Sequence, residues 1–361
     1  MPLISCLLST LLLIHSASAT ARATSQRFIP KLNQNVTFLG LGCVELGRDW
    51  GIDVKESVHL TENDSAILLK DVLKTGINVI DTATSYQLSE ERIGKYIPQQ
   101  DYNYLLITKP GEHSIHANDP KCKKESYDHI YCRTPGAEYD FSAQTIKQEI
   151  FESLKKLQVK KLDVALLHLD SHDAQEVLEK GEALNALKEL KQQGIIRAIG
   201  VSINGPTALY AVQHLDIDMI EVEYNLLNQT NEEAITLAHQ KGIGVIIRGG
   251  LGTGLLTPLL AQHINDPNLP FRNQLEALLK IVNNDYQKLM AVELAFLYSN
   301  PNISTVIIGA DKVKYMQQDI DLLNQFKDFD MLEQAKKAMQ ALPSPSQYTE
   351  IMGEFYANQK N

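Results

Sequence analysis

Four polar side chains of complementary chemistry lie at or shortly after the ends of apolar, β-branched runs. Asp81 ends the run NVID, Lys109 ends LLITK and His168 ends DVALLH, while Tyr86 follows Asp81 by five residues. Taken singly, each has an ordinary structural interpretation, as a helix N-cap, a strand end, a core histidine or a half-buried phenol. Together, an acid, a cation, an imidazole and a phenol can perform acid–base chemistry on a carbonyl group.

Eight short apolar runs alternate with longer amphipathic segments, a pattern typical of α/β folds. Such continuously apolar strands are usually covered by helices on both sides, as parallel strands are. Ile146–Leu157 and Leu184–Leu190 have apolar residues at helical spacing, and Gly194 follows the second at a C′ position. The predicted strands are Val36–Leu41, Asn78–Asp81, Tyr104–Thr108, Leu162–His168, Ile195–Val201, Met219–Glu223, Val245–Arg248 and Thr305–Ile308.

This pattern predicts a single (β/α)8 TIM barrel over residues 35–325, followed by a C-terminal tail over 326–361. A doubly wound sheet in two domains is the alternative. In a (β/α)8 barrel the active site lies at the C-terminal ends of the strands, so the four polar side chains are expected to meet there. Trp50, in the first strand-end loop, is a candidate wall of a substrate pocket or a side chain packed on the barrel rim.

Two stretches are longer than ordinary connections between barrel elements. Gly111–Tyr139 is polar and contains Cys122 and Cys132, which either close a small disulfide loop or remain free thiols. Thr257–Asn283 follows the seventh predicted strand and is expected over the same end of the barrel. The tail has a helical stretch at Met331–Met339, and its role cannot be inferred from the sequence.

The N-terminus has the features of an export signal. An apolar run at Ile4–Ile14 precedes the small residues Ser16 to Ala19, although the first basic side chain is Arg22. We therefore predict a signal peptide at residues 1–19, with a misassigned start as the alternative. The chain would be exported or periplasmic if this segment is cleaved, and cytoplasmic otherwise.

Composition limits the classes of partner. The chain of 361 residues has 34 Lys and Arg against 44 Asp and Glu, a net charge of -10, and 44% hydrophobic residues. This balance argues against a nucleic-acid surface, and no segment after the leader is apolar enough for a membrane span. The alternating residues His168, Asp170, His172 and Asp173 look like metal ligands but face opposite sides of an extended chain, so we expect no metal site.

Around the four polar residues, the sequence strongly resembles the aldo-keto reductase superfamily. The similarity covers about residues 35–325 and rests on LGLGCVELG, INVIDTATSY, EERIGKYI, ITKPG, DVALLHLD, IIRAIGVSI, EVEYNLLN, GGLGTGLLT and STVIIGAD. It implies that Asp81, Tyr86, Lys109 and His168 form a catalytic tetrad, in which Tyr86 gives a proton to the substrate carbonyl oxygen. Lys109 would favour the Tyr86 phenolate, and Asp81 would hold Lys109 in place.

The resemblance also implies a nicotinamide cofactor, because no side chain can supply a hydride. We expect NADPH as the cofactor. NADH is the alternative, because Asp311 stands where several relatives have a basic residue for the 2′-phosphate. Glu221 stands where Gln is usual, and Arg248 where an aromatic ring often stacks on the nicotinamide. The cofactor-binding residues implied are Ser202, Glu221, Arg248, Gly249, Leu251, Gly309 and Asp319.

The glycine patterns LGLGC and GLGTG suggest a Rossmann site, but both lack the third glycine and the βαβ context that such a site needs. The sequence therefore predicts an NAD(P)(H)-dependent oxidoreductase that interconverts an aldehyde or ketone and the alcohol, with a small carbonyl or sugar-like substrate. Two alternatives remain open: oxidation of a sugar or other hydroxy compound by NAD, and a dinucleotide-binding regulatory subunit without turnover. Neither substrate nor oligomeric state can be inferred from the sequence.

Overall fold

A computed structural model describes residues 21–50, 52, 60–97, 103–115, 119, 122, 136–169, 173–340, 342 and 344–359. The predicted leader at 1–19 lies outside this part of the chain, as do Cys132, Asp170 and His172.

The chain begins with an antiparallel hairpin that closes the N-terminal end of the barrel. Its strands, β1 (Gln26–Ile29) and β2 (Gln34–Thr37), pair from Gln26 opposite Thr37 to Ile29 opposite Gln34. The apolar side chains Ile29, Leu32 and Val36 pack with residues of the barrel interior such as Val79 and Leu105. The apolar side chains of the hairpin therefore cover the N-terminal end of the barrel interior.

The predicted single strand Val36–Leu41 is wrong in one respect. Thr37 ends β2, and the first barrel strand, β3 (Leu39–Gly42), begins two residues later. The Thr37 hydroxyl donates to the carbonyl of Leu39 at 2.7 Å and accepts from the backbone N–H of Asn78 at 2.9 Å. Because these bonds turn the chain at Phe38, one apolar run supplies two strands.

The remaining strand predictions are confirmed to within one residue at each end. With β3, the strands β4 (Val79–Asp81), β5 (Leu105–Thr108), β8 (Leu162–His168), β9 (Ile196–Ser202), β10 (Met219–Glu223), β11 (Gly244–Arg248) and β12 (Thr305–Gly309) form a closed parallel barrel in that order. Closure pairs β12 with β3, with Val306 opposite Leu39. The single (β/α)8 barrel is therefore confirmed, and the doubly wound sheet is excluded.

Amphipathic helices cover the strands. In α3, Ile146 and Ile150 are buried at helical spacing, and the Ser142 hydroxyl caps the first turn by accepting from the N–H of Thr145. Gly194 follows α5 in the left-handed region, as predicted. The helices are α1 (Glu62–Val72), α2 (Ser89–Tyr96), α3 (Ala143–Lys156), α4 (Ala174–Lys180), α5 (Glu182–Gln192), α6 (Gly205–His214), α7 (Glu232–Gln240), α8 (Leu260–His263), α9 (Arg272–Ile281), α10 (Tyr286–Ser299), α11 (Val313–Gln325), α12 (Phe329–Ala338) and α13 (Pro345–Gln359).

The long segments contain structure of their own. The ends of the stretch Gly111–Tyr139 pair as an antiparallel hairpin of β6 (Glu112–Ser114) and β7 (Ala137–Tyr139). Cys122 is disulfide-bonded, and its predicted partner Cys132 lies outside the described residues. The stretch after β11 contains α8 and α9, and the tail contains α12, as predicted, and α13. Among the described residues, no helix is long and apolar enough to cross a membrane.

Candidate active site

Three adjacent barrel strands bring the predicted acid, cation and imidazole together. Asp81 ends β4, Lys109 directly follows β5, and His168 ends β8. Tyr86 lies in a turn after β4, where its backbone N–H donates to the carbonyl of Ala83 at 3.1 Å. Gly47 allows this turn to approach the loop after β3, because a Cβ at position 47 would lie 1.8 Å from the Tyr86 carbonyl oxygen.

Lys109 is fully buried at the centre of the group. Its Nζ lies 2.5 Å from Asp81 Oδ1, donates to the carbonyl of Thr82 at 3.0 Å, and lies 5.2 Å from the centroid of the Tyr86 ring. Burial alone lowers the pKa of Lys109, but the carboxylates of Asp81 and Glu221 outweigh it, so the pKa lies above the ordinary value. Lys109 is therefore a permanent cation beneath Tyr86.

The Tyr86 phenol keeps its proton at neutral pH. Burial raises its pKa above the ordinary value, and the carboxylates of Asp81, Glu221 and Glu112 raise it further. Lys109 acts in the opposite direction, as the sequence predicts, but does not outweigh them. The Tyr86 hydroxyl is therefore protonated and can act as a proton donor at the C-terminal end of the barrel.

His168 is held by a buried pair that sequence reasoning missed. Glu112 Oε2 lies 2.6 Å from His168 Nδ1, and Glu112 Oε1 accepts a hydrogen bond of 2.6 Å from Arg48 Nη1. Burial raises the pKa of Glu112, but His168 and Arg48 outweigh it, so the pKa lies well below the ordinary range. The sequence contains one weak signal for a role of Glu112 at the site: it is a charged residue three positions after Lys109, just beyond a strand end.

The second carboxylate beside Lys109 comes from β10. Glu221 Oε1 lies 3.7 Å from Lys109 Nζ and 4.0 Å from Arg248 Nε, and it accepts a hydrogen bond of 2.7 Å from the Ser202 hydroxyl. Burial, followed by the charge of Glu221, raises the pKa of Asp81 well above its ordinary range, while Lys109 opposes both. The cluster therefore contains two carboxyl groups and one fully buried ammonium.

These residues open into one cavity of about 910 Å³ at the C-terminal end of the barrel. Asp81, Tyr86 and His168 line one part of it, and Lys109 lies behind them. Trp50 is on the wall, as the sequence suggested. The implied cofactor-binding residues on the wall are Glu221, Arg248, Gly249, Leu251 and Gly309. Ser202 is buried beside Glu221, and Asp319 is not on the wall.

The last helix forms another part of the wall, which sequence reasoning missed. Tyr348, Met352 and Gly353 of α13 line the cavity. The Tyr348 hydroxyl donates to Glu223, and its ring stacks on Phe271 with the centroids 5.2 Å apart. No signal in the sequence linked this tail to the strand ends.

Asp319 lies on α11 and is only 4% exposed. Its carboxyl group has no hydrogen-bond partner among the residues that the structure describes, and burial raises its pKa to about 8. A buried carboxyl group of this kind is neutral at low pH and destabilises the fold when it ionises.

Replacing Asp319 by Asn is expected to flatten the pH dependence of stability. The folded-state pKa of about 8 lies above the unfolded value of about 4, so the wild-type carboxyl group contributes stability below pH 4 that is lost as the pH rises through 8. The slope from this group is up to about 1.4 kcal/mol per pH unit. Urea unfolding between pH 5 and 9 measures it, with the exposed Asp321→Asn on the same helix as the control. Equal slopes in wild type and Asp319→Asn would contradict the assignment.

No cluster of three or more His, Cys, Asp or Glu side chains suited to a metal ion occurs within the described parts of the chain. Of the residues weighed as ligands, Asp170 and His172 lie outside those parts.

A family model described as the aldo/keto reductase family matches residues 38–338. Relatives include L-galactose dehydrogenase of Arabidopsis thaliana, 23% identical over 86% of this chain and 91% of that protein. NADH-specific methylglyoxal reductase of Escherichia coli is 23% identical over 79% of this chain and 89% of that protein. The holo structure of an aldo-keto reductase from Bacillus halodurans matches with a TM-score of 0.69 and 23% identity, covering 89% of this chain and 98% of that one. The matched span and the shared barrel show that the chain belongs to the aldo/keto reductase family, as an NAD(P)-dependent oxidoreductase that interconverts a carbonyl group and an alcohol.

Proposed function

We propose that Tyr86 exchanges the proton with the substrate oxygen, and that Asp81, Lys109 and His168 complete the catalytic tetrad. The observation that carries this assignment is the fully buried Lys109, fixed 2.5 Å from Asp81 and 5.2 Å from the Tyr86 ring centroid. The His168 ring stands edge-on to Tyr86 with the centroids 6.0 Å apart, on the wall of the same cavity.

In this proposal each side chain has a separate task. Tyr86 donates its proton when a carbonyl is reduced and accepts one when an alcohol is oxidised, and Lys109 stabilises the phenolate in between. His168 donates a hydrogen bond to the substrate oxygen, while Glu112 and Arg48 fix the orientation of its ring. When bound, the nicotinamide supplies or accepts the hydride.

We further propose that Ser202, Glu221 and Arg248 hold the nicotinamide end of the cofactor, and that Gly249, Leu251 and Gly309 hold the remainder. The shape and chemistry of the cavity fit this group, because one continuous wall connects Tyr86 to Gly309. Asp319 is not included, since it lies away from that wall.

The turn after β11 suits an anionic group. Gly249, Gly252 and Gly254 all have positive φ, which side chains other than glycine adopt at a cost. The backbone N–H groups of Gly250 and Leu251 have no acceptor among the described residues. Free N–H groups in a glycine turn are well placed to bind pyrophosphate oxygens.

We propose NADH ahead of NADPH as the cofactor. The carboxylate of Glu45 is on the cavity wall, and a Cβ at Gly309 would lie 2.4 Å from Glu45 Oε1. Asp311 lies two residues after the end of β12, with its Oδ2 3.9 Å from Lys312 Nζ. A doubly charged 2′-phosphate near Glu45 and Asp311 would be repelled by these two carboxylates. The methylglyoxal reductase relative is named as NADH-specific.

We propose a small polar carbonyl compound or sugar-like alcohol as the substrate. The wall near Tyr86 and His168 contains Arg48, Trp50 and Glu112, a set that offers hydrogen bonds and an aromatic face. One relative is named as a dehydrogenase of L-galactose.

Fluorescence titration of the purified chain with NADH and NADPH tests the cofactor assignment. Absorbance at the nicotinamide band then tests turnover, with methylglyoxal and other small aldehydes plus NADH, and with L-galactose and other aldoses plus NAD⁺. We expect tighter binding of NADH and turnover with at least one of these substrates. Binding without any turnover would favour a regulatory subunit, and no binding of either dinucleotide would refute the proposed function.

A further inference from the structure

Glu221 is a buried carboxylate that proton exchange at Tyr86 does not require. It is 1% exposed, yet it reaches the cavity wall beside Asp81. Asp81 already supplies a counter-ion to Lys109 at 2.5 Å, whereas Glu221 lies 3.7 Å from the same ammonium. The other cation near Glu221 is Arg248, which is itself on the cavity wall.

The proposed reaction brings one more positive charge close to this carboxylate. Hydride transfer requires the nicotinamide ring and the substrate carbon to approach to about 3–3.5 Å, while the substrate oxygen contacts Tyr86. The ring must therefore lie within several ångströms of Glu221. The oxidised nicotinamide is a cation and the reduced form is neutral, so a carboxylate at this place distinguishes the two forms.

We propose that Glu221 stabilises the oxidised nicotinamide, so that bound NADH is a stronger hydride donor and the site favours reduction of a carbonyl. This inference rests on the proposed function and adds to it a preferred direction of the reaction.

The neighbouring groups hold the Glu221 carboxylate in place. Ser202 donates a hydrogen bond of 2.7 Å to Glu221 Oε1, and Lys109 Nζ lies 3.7 Å from the same oxygen. Arg248, with its Nε 4.0 Å from Glu221 Oε1, opposes the effect by repelling a cationic ring.

The test compares the dissociation constants of NAD⁺ and NADH in wild type and Glu221→Gln at pH 7. The quantity measured is the Kd for NADH divided by the Kd for NAD⁺. We expect this ratio to fall by about tenfold or more when the carboxylate is removed, from a charge interaction at an effective dielectric constant of about 20. A tenfold change corresponds to about 30 mV in the potential of a bound two-electron couple.

Glu223→Gln is the matched control. It removes the same charge from the same strand, but Glu223 lies beside Gly249, where a Cβ would be 3.0 Å from Glu223 Cγ. Any interaction there with the pyrophosphate is common to NAD⁺ and NADH, so the ratio should stay within about twofold of wild type.

Arg248→Gln provides an independent test if Glu221→Gln fails to fold. Removing this cation should change the ratio in the opposite direction, toward tighter relative binding of NAD⁺. Dinucleotide binding with an unchanged ratio in Glu221→Gln, or a shift in Arg248→Gln of the same sign as in Glu221→Gln, would overturn this inference and leave the proposed function intact. Failure of wild type to bind either dinucleotide would overturn both.

Discussion

Replacing Tyr86 by Phe is expected to lower turnover by about 10²–10⁴-fold, the usual contribution of a positioned proton donor. The substitution removes one hydroxyl group and keeps the ring that packs against His168 and Lys109. Dinucleotide affinity should stay close to wild type, because the residues proposed to hold the cofactor are unchanged. Single-turnover absorbance measurements and fluorescence titration separate these two quantities.

Tyr96→Phe is the control for the loss of a tyrosine hydroxyl. Tyr96 lies on the outer helix α2, where its hydroxyl donates to Glu62 Oε2 at 2.8 Å, far from the cavity wall. Turnover in this variant should match that of wild type. Substantial turnover in Tyr86→Phe would show that another group exchanges the proton, and the tetrad assignment would be wrong.

Replacing Lys109 by Met is expected to abolish measurable turnover and to destabilise the fold. The change leaves two carboxyl groups, Asp81 and Glu221, buried without the ammonium that lies 2.5 and 3.7 Å from them. Breaking a buried ion pair on one side costs about 3–5 kcal/mol. Urea unfolding at pH 7 measures the loss in the free energy of unfolding.

The loss should become smaller as the pH falls. The folded-state pKa of Asp81 is already raised by burial and by Glu221 and only opposed by Lys109, so it rises further in the variant. A group with a raised folded-state pKa contributes stability that is complete below the unfolded value and is lost as the pH rises through the folded value. The difference in unfolding free energy between wild type and Lys109→Met should therefore narrow as the pH falls from the folded-state pKa of Asp81 in the variant to its folded-state pKa in wild type.

Lys95→Met is the corresponding surface control. Lys95 also contacts a carboxylate, Glu62, at 3.0 Å, but it is exposed, so its removal should change the unfolding free energy little. A loss in unfolding free energy that does not depend on pH in Lys109→Met would mean that altered packing causes the destabilisation, and not the uncompensated charge of the buried carboxylates.

The barrel, and the position of the proposed tetrad at its strand ends, could be predicted from the sequence because their signals are local. Each buried strand is a short apolar run, and Asp81, Lys109 and His168 stand where such runs stop. The closed order of parallel strands then brings their ends together, without any information on side-chain contacts.

The remaining features depend on tertiary contacts that no local pattern encodes. Glu112 meets Arg48 and His168 because the β6–β7 hairpin folds back over the strand ends. Tyr348 reaches Glu223 because α13 packs across the barrel mouth, at a separation of 125 residues. The division of Val36–Leu41 between two strands depends on bonds between Thr37 and Asn78, which lie 41 residues apart.

The pairing of β12 with β3 has a consequence for how the enzyme folds. The Thr305 hydroxyl donates to the carbonyl of Phe38 at 3.3 Å, across 267 residues of chain. The groups proposed for proton exchange belong to β4, β5 and β8 or follow them, whereas the side chains proposed for the cofactor belong to β9 to β12 or follow them. Contacts between distant parts of a chain form slowly during folding, because a long loop must close first. Catalytic competence is therefore a property of the complete, closed chain, and neither half of the polypeptide contains it.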